Sequence, residues 1–386
     1  MRGRLCLQRR AAMAKYRGSP ALTNKKTRKR TLDPGITIVI NSPTITANID
    51  SSVRLEVRSM KYSAVIASML ILLSVSIASA ADRLRIAYSS ISGAYVGIWM
   101  AHDAGLFAKE GLDDQIIFIP TALQLAQASV AGDVDVASLG GGPMMAAVLS
   151  GADLKVIGNN VNKMIFSIHT KPEVKSIEEL RGKRIGITRF GSSSDVSTRY
   201  ALRKHNLDPV KDVVLLQLGS MSSVFGALQS GAIEGGLVSP PTQFLSEKLG
   251  FKELVSITDM DYAYPNPAMA VPGELIRKKA TLIDRFMRAY VRGVHRARND
   301  REFTIKSLAK YTTVTDPVLL GKTYDFYVGK VIERAPYINM AGMQNALDDL
   351  ARTIPAAKTA KPEQFVDMRF LDRLEKSGLL KELYKQ

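Results

Sequence analysis

The residues best equipped to hold a polar ligand stand between positions 184 and 202, Arg-Ile-Gly-Ile-Thr-Arg-Phe-Gly-Ser-Ser-Ser-Asp-Val-Ser-Thr-Arg-Tyr-Ala-Leu. Residues 184–188 read as a short buried strand. Gly191 permits a sharp turn, and Ser192, Ser193 and Ser194 are residue types that open helices. From Asp195 onward Val196, Tyr200 and Ala201 recur at helical spacing. A strand, a Gly/Ser turn and a helix start place free N–H groups and hydroxyls at the carboxyl end of a sheet, where open α/β sheets bind small polar molecules. Arg189 adds a cation suited to a carboxylate, sulfonate or phosphonate. Asp195 works against a densely charged anion, because its carboxylate occupies the same first turn.

A second copy of this pattern lies 99 residues upstream. Arg85-Ile86-Ala87-Tyr88 falls on Arg184-Ile185-Gly186-Ile187, and Ser92-Gly93-Ala94 on Gly191-Ser192-Ser193. Ala128 to Asp135 falls on Ala227 to Glu234 at the same offset. A period near 100 is too long for a solenoid unit and suits two α/β lobes of like construction. The ligand-facing set is therefore read from both copies. Ser89, Ser90 and Ser92 supply hydroxyls, Gly93 lets backbone approach closely, and Tyr95 supplies an aromatic wall. Gly140, Gly141 and Gly142, ahead of Pro143, are read as further N–H donors. Ser239 and Tyr264 join the set by position, whereas Trp99 on its helix belongs to the core.

The elements that position these residues alternate. Strands are expected at 84–89, 115–119, 134–139, 154–161, 166–170, 184–188, 213–218, 236–239 and 254–258, with helices between most of them. That alternation points to mainly parallel sheets. Beyond Ala270 the chain reads as helical, over 275–299, 301–311, 316–331, 340–353 and 363–384.

Composition bounds the function. The net charge of +17 is concentrated at the start, where residues 1–59 carry 13 Lys and Arg against 3 Asp and Glu. From residue 81 the balance is 39 against 33, mildly basic, with no positive stripe interleaved with aromatics, so no nucleic-acid partner is expected. Residues 60–80 have a short positive start, an apolar core and an Ala78-Ser79-Ala80 exit, the pattern of an export signal cleaved near Ala80. Residues 1–59 are then either a disordered basic segment or the product of a mis-assigned start. The single cysteine is Cys6, which leaves no disulfide or cysteine metal site downstream. His102, His169, His205 and His295 lack metal-ligand spacing. Gly191-Ser192-Ser193-Ser194-Asp195 lacks the second glycine of a nucleophile elbow, and Gly321-Lys322-Thr323 lacks the first glycine of a phosphate loop. No metal, cofactor or catalytic residue is expected.

Three stretches carry a resemblance. Ala101-His102-Asp103-Ala104-Gly105-Leu106-Phe107-Ala108-Lys109-Glu110-Gly111-Leu112, Gly132-Asp133-Val134-Asp135-Val136-Ala137 and Ser176-Ile177-Glu178-Glu179-Leu180-Arg181-Gly182-Lys183-Arg184-Ile185-Gly186 resemble segments of the periplasmic solute-binding proteins of ABC importers for nitrate, sulfonates, taurine and related compounds, including the thiamine-precursor-binding group. The resemblance spans most of 84–271. It implies an α/β, two-lobed periplasmic-binding-protein type II fold, each lobe a mainly parallel sheet flanked by helices, joined by two crossovers. Lobe 1 is expected at 81–165 and 265–386, and lobe 2 at 166–264. It further implies a monomeric periplasmic protein that captures a small organic solute, sulfonate-, nitrate- or taurine-like or aromatic, and passes it to an ABC permease with a cytoplasmic ATPase. The rivals are a binding-protein-like enzyme of the menaquinone-pathway type, which needs a titratable group in the cleft, and a ligand-sensing domain fused to a DNA-binding arm.

Overall fold

The computed structural model describes residues 81–385; the basic segment and the export signal read above lie outside them. Ten strands follow in order: β1 (Asp82–Tyr88), β2 (Leu112–Phe118), β3 (Val136–Leu139), β4 (Leu154–Gly158), β5 (Ser167–Thr170), β6 (Arg184–Ile187), β7 (Val214–Gln217), β8 (Gly235–Val238), β9 (Lys252–Ser256) and β10 (Ala268–Pro272). They form two five-stranded sheets, β2-β1-β3-β10-β4 and β7-β6-β8-β5-β9. In each sheet four strands run the same way. The exception is the strand that arrives from the other sheet: β10 runs antiparallel to β3 and β4, and β5 to β8 and β9. The central strands β3, β5 and β8 are buried along their whole length, as expected where helices cover both faces.

The repeat at an offset of 99 is a repeat of structure. Arg85 at the start of β1 donates from Nε to Asp135 at 3.0 Å and from Nη2 to the Gly132 carbonyl at 2.6 Å. Arg184 at the start of β6 donates from Nε to Glu234 at 3.1 Å and from Nη2 to the Gly231 carbonyl at 3.3 Å. Each arginine therefore ties the first strand of its unit to the acidic turn that leads into β3 or β8. Where those strands end, their loops face one another.

The chain leaves the first sheet after β4 and returns to it through β10, so the second sheet is inserted into the first unit. The helix Gly273–Asn299 then closes the first sheet, burying Ile283, Phe286, Met287, Tyr290 and Val294 at the three- and four-residue spacing of one face. Trp99 is fully buried and stacks on Tyr311, ring centroids 4.7 Å apart.

The helical expectations need correction at three places. The first interstrand helix, which the apolar spacing predicts from Val96 to Phe107, is broken by Gly105 at φ 63° into Val96–Asp103 and Leu106–Lys109. Residues 316–331 form Pro317–Tyr324 and then a wider π turn, Asp325–Val331. Residues 363–384 are not one helix: a 3-10 turn, Pro362–Phe365, precedes Arg369–Lys376 and Leu379–Tyr384, which Gly378 at φ 74° separates. In two of these cases a glycine in the left-handed region stops propagation, which apolar spacing alone does not reveal. Among the described residues no helix is long and apolar enough to cross a membrane.

Candidate functional site

Loops from the carboxyl ends of β1, β3, β6 and β8 enclose a cleft of about 530 Å³ between the two sheets. Ser89, Ser90, Ser92, Tyr95, Gly140, Arg189, Ser192, Ser193, Ser194 and Ser239 all line it. Gly93, Gly141, Gly142 and Tyr264 do not. Gly93 lies under the Tyr327 ring. Gly142 and Tyr264 border a separate cavity of about 660 Å³ behind the cleft, with Asp195, Arg199, Arg203 and Asp349.

Of the three glycines read as N–H donors, only Gly140 lines the cleft. The Gly141 N–H is taken by the Pro265 carbonyl at 2.9 Å, Gly142 abuts the buried Tyr264 hydroxyl, and Pro143 has no N–H. What they supply is proximity. A Cβ on Gly140 would stand 2.5 Å from Ser193 Oγ, so glycine lets the two sheets' loops meet at the cleft floor.

The helix Ser193–Lys204 behaves differently from its neighbours around the cleft. Thr121 caps one helix through the Gln124 N–H and Ser220 caps another through the Ser223 N–H. Ser192 caps nothing: its hydroxyl donates to the Arg189 carbonyl at 2.7 Å and lies 2.8 Å from Ser194 Oγ. Ser194 Oγ accepts from the Thr188 N–H at 3.0 Å. The first-turn N–H groups of Ser193, Ser194 and Asp195 consequently have no acceptor among the described residues. Such groups carry the positive end of the helix dipole.

Asp195 does not cancel that end. Its carboxylate accepts from the Gly191 N–H at 2.9 Å and from Arg199 Nε at 2.7 Å, and it faces the cavity behind the cleft. Arg189 and Asp316 are the formally charged residues of the cleft lining. Asp316 accepts from the Val318 and Leu319 N–H groups and pairs with Lys248 at 2.5 Å. Arg189 is exposed and has no ion-pair partner among the described residues.

Sequence reasoning missed Asn266. It lies in the returning segment before β10, lines the cleft, is only 7% exposed, and its Nδ2 has no hydrogen-bond partner among the described residues. The one available signal was an Asn-Pro step in a crossover, which reads as turn chemistry. Tyr327, from the helical tail, was also missed. Its hydroxyl donates to the Pro240 carbonyl at 3.0 Å and sits 2.7 Å from Ser92 Oγ, joining the tail to both sheets' loops. Burial holds the Tyr95 and Tyr327 hydroxyls above the usual phenol range, so both are neutral donors at neutral pH. Ile91, Phe118, Phe166, Met221 and Leu245 line the remaining wall. The arrangement offers hydrogen-bond donors at one side and an apolar surface at the other.

A family model described as NMT1/THI5 like matches residues 93–302. YtlA of Bacillus subtilis, named as a binding protein, is 24% identical over 198 residues, covering 45% of this chain and 53% of its own. The chain spans about half the length of the curated relatives it matches. Among solved structures, the alkanesulfonate-binding protein SsuA from Xanthomonas axonopodis pv. citri, bound to MOPS, is similar with a TM-score of 0.62 and 18% identity, over 74% of this chain and 96% of that one. The desulfurization enzyme DszB is similar with a TM-score of 0.59 and 14% identity, over 77% of this chain and 99% of that one. At these identities the likeness is one of fold, and it is the fold of periplasmic binding proteins.

Proposed function

Because the chain belongs to the NMT1/THI5-like family, we propose that it is the exported, monomeric solute-binding component of an ABC importer, and that its cleft captures a small organic anion with an apolar body. In this reading residues 81–165 with 265–386, and residues 166–264, act as two lobes that close on the solute and hand it to a permease driven by a cytoplasmic ATPase. The observation that carries the ligand class is a set of donors without acceptors. The Ser193, Ser194 and Asp195 N–H groups and the Asn266 Nδ2 lack partners among the described residues, and Arg189 stands beside them. Buried donors are almost always paired, so unpaired ones around a cleft call for an acceptor-rich ligand. A sulfonate or carboxylate head meets that need, and Phe118, Phe166 and Leu245 suit its organic body. Asp195, the acidic group that spoke against an anion, is neutralised by Arg199 on the far side. The solved neighbours include an alkanesulfonate-binding protein, which favours the sulfonate version.

The experiment is a thermal-shift and calorimetry screen with alkyl and aryl sulfonates, taurine, nitrate and aromatic carboxylates. A ligand at ~100 times its dissociation constant adds roughly 2.7 kcal/mol of stability, a shift of several degrees. Arg189→Gln should weaken the hit and flatten its salt dependence. A screen without a hit on folded, ligand-free protein defeats the proposal. Ligand consumed during incubation would replace binding by catalysis, as in the desulfurization enzyme that shares the fold.

A further inference from the structure

Away from the cleft, the second sheet holds a cluster with its own chemistry. His169 on β5 pairs in register with Glu253 on β9, and Glu247 reaches them from the helix Thr242–Lys248. The His169 side chain is completely buried, and its Nε2 has no hydrogen-bond partner among the described residues. That nitrogen lies 4.0 Å from a Glu253 carboxylate oxygen, and one donor atom of each of the three residues lies within 4.8 Å of the others. The other ring nitrogen, Nδ1, is 3.1 Å from Ser246 Oγ.

We propose that His169 Nε2, Glu247 and Glu253 form a binding site for one divalent transition-metal ion of the zinc type. The donor set is one imidazole and two carboxylates, which zinc accepts at roughly 2.0–2.2 Å and completes with water. A hydrogen bond from Nδ1–H to Ser246 leaves the Nε2 lone pair free and aimed at the carboxylates, the arrangement that metal-ligating histidines use. Burial pushes the His169 pKa down to about 4, so the ring is neutral at physiological pH. The carboxylates sit at the solvent side, about one-third exposed, and can rotate inward to close the coordination distance. Gln243 Nε2 donates to Glu253 at 2.7 Å and to Glu247 at 3.4 Å and so holds the two together without neutralising them. The surrounding charges are modest. Lys322 stands 4.0 Å from Glu247, and Lys330 is engaged by Asp259 at 2.6 Å. A bound ion joins β5, β9 and the helix whose first residue Thr242, with Pro241 just before it, borders the cleft.

The test uses the full chain, untagged, in a Cys6→Ser background so that its only thiol does not contribute. After metal stripping, equilibrium dialysis against zinc chloride is expected to return one ion per chain. Cobalt(II) is expected to give the visible bands of a low-coordinate site. Glu253→Gln and Glu247→Gln, both at partly exposed positions, are each expected to weaken zinc binding at least tenfold and remove the cobalt bands while circular dichroism stays unchanged. Ser246→Ala, which frees the ring without removing a ligand, is expected to weaken binding by about 10-fold. Absence of stoichiometric binding by the stripped chain, or binding by the two glutamate variants equal to that of the parent chain, overturns the site. Neither result bears on solute binding in the cleft, which uses none of these residues.

Discussion

Replacing Ser192 by Asp tests the donor set most sharply, because it acts oppositely on the fold and on the ligand. The Ser192 hydroxyl now donates to the Arg189 carbonyl and leaves the helix start uncapped. An aspartate there accepts from the first-turn N–H groups, worth about 1 kcal/mol as a cap and ~0.3–1 kcal/mol through the dipole. Loss of the Arg189 hydrogen bond offsets about 1 kcal/mol of that gain. Net stability should therefore move by less than about 1 kcal/mol, or no more than roughly 2–4 °C in Tm. Binding should suffer instead. An anion on the same N–H groups would sit about 5 Å from the new carboxylate, a repulsion of about 3 kcal/mol at an effective dielectric constant of ~20. After solvent screening, a loss of about 10- to 100-fold in affinity is expected. Ser192→Asn is the control, since it caps comparably without the charge. Calorimetry with a short alkanesulfonate, together with urea unfolding of all three chains, reads both effects. If the Asp and Asn variants bind alike, the anion does not sit at this helix start and the ligand assignment fails.

Three further outcomes follow from the structure. Asn266→Ala removes a donor that nothing in the described residues uses, so ligand affinity should drop at least several-fold while urea stability stays within about 0.5 kcal/mol; a stability loss without a binding loss would make the residue structural. Gly142→Ala places a methyl group against the Tyr264 hydroxyl and should cost about 1–3 kcal/mol, much of it recovered in the Gly142→Ala, Tyr264→Phe double variant; equal destabilisation in both chains would exclude that clash as the cause. His102 Nδ1 lies 2.5 Å from Asp114, and that hydrogen bond raises the histidine's pKa above its ordinary value. Its contribution is therefore present in full below the ordinary histidine pKa, about 6.5, and is lost as pH rises through the higher folded value. With His102 about one-third exposed the effect is small, a few tenths to about 1 kcal/mol; stability measured between pH 6 and 9 should fall more in the wild type than in His102→Gln.

Local signals carried much of the fold. The strand–turn–helix pattern at 184–202 and its copy 99 residues upstream are legible because buried strands, helix-opening serines and turn glycines have short-range causes. The recurrence of Arg85 with Asp135 and of Arg184 with Glu234 was legible as part of the repeat, but that each arginine pairs with its acid across 50 residues appears only in the fold. The direction of β5, and β10 as a strand at all, were not legible, since a strand that crosses between sheets takes its place and its reversal from where the chain has already been laid down.

The site divides in the same way. That Ser192, Ser193 and Ser194 stand at a helix start was written in the residues. That this start is uncapped, that Asp195 turns to Arg199, and that Gly141 has its N–H taken by Pro265 depend on partners that only folding brings near. Asn266 reaches the cleft, and Tyr327 reaches the cleft-lining Ser92, from segments more than 70 and 130 residues beyond Ser193, and no periodicity links them to it. His169, Glu247 and Glu253 show no metal-ligand spacing, yet β-sheet register and one helix place them together. Sequence alone determines the elements whose causes are local. Tertiary structure decides which donors remain unsatisfied, because satisfaction is settled by neighbours distant in the chain.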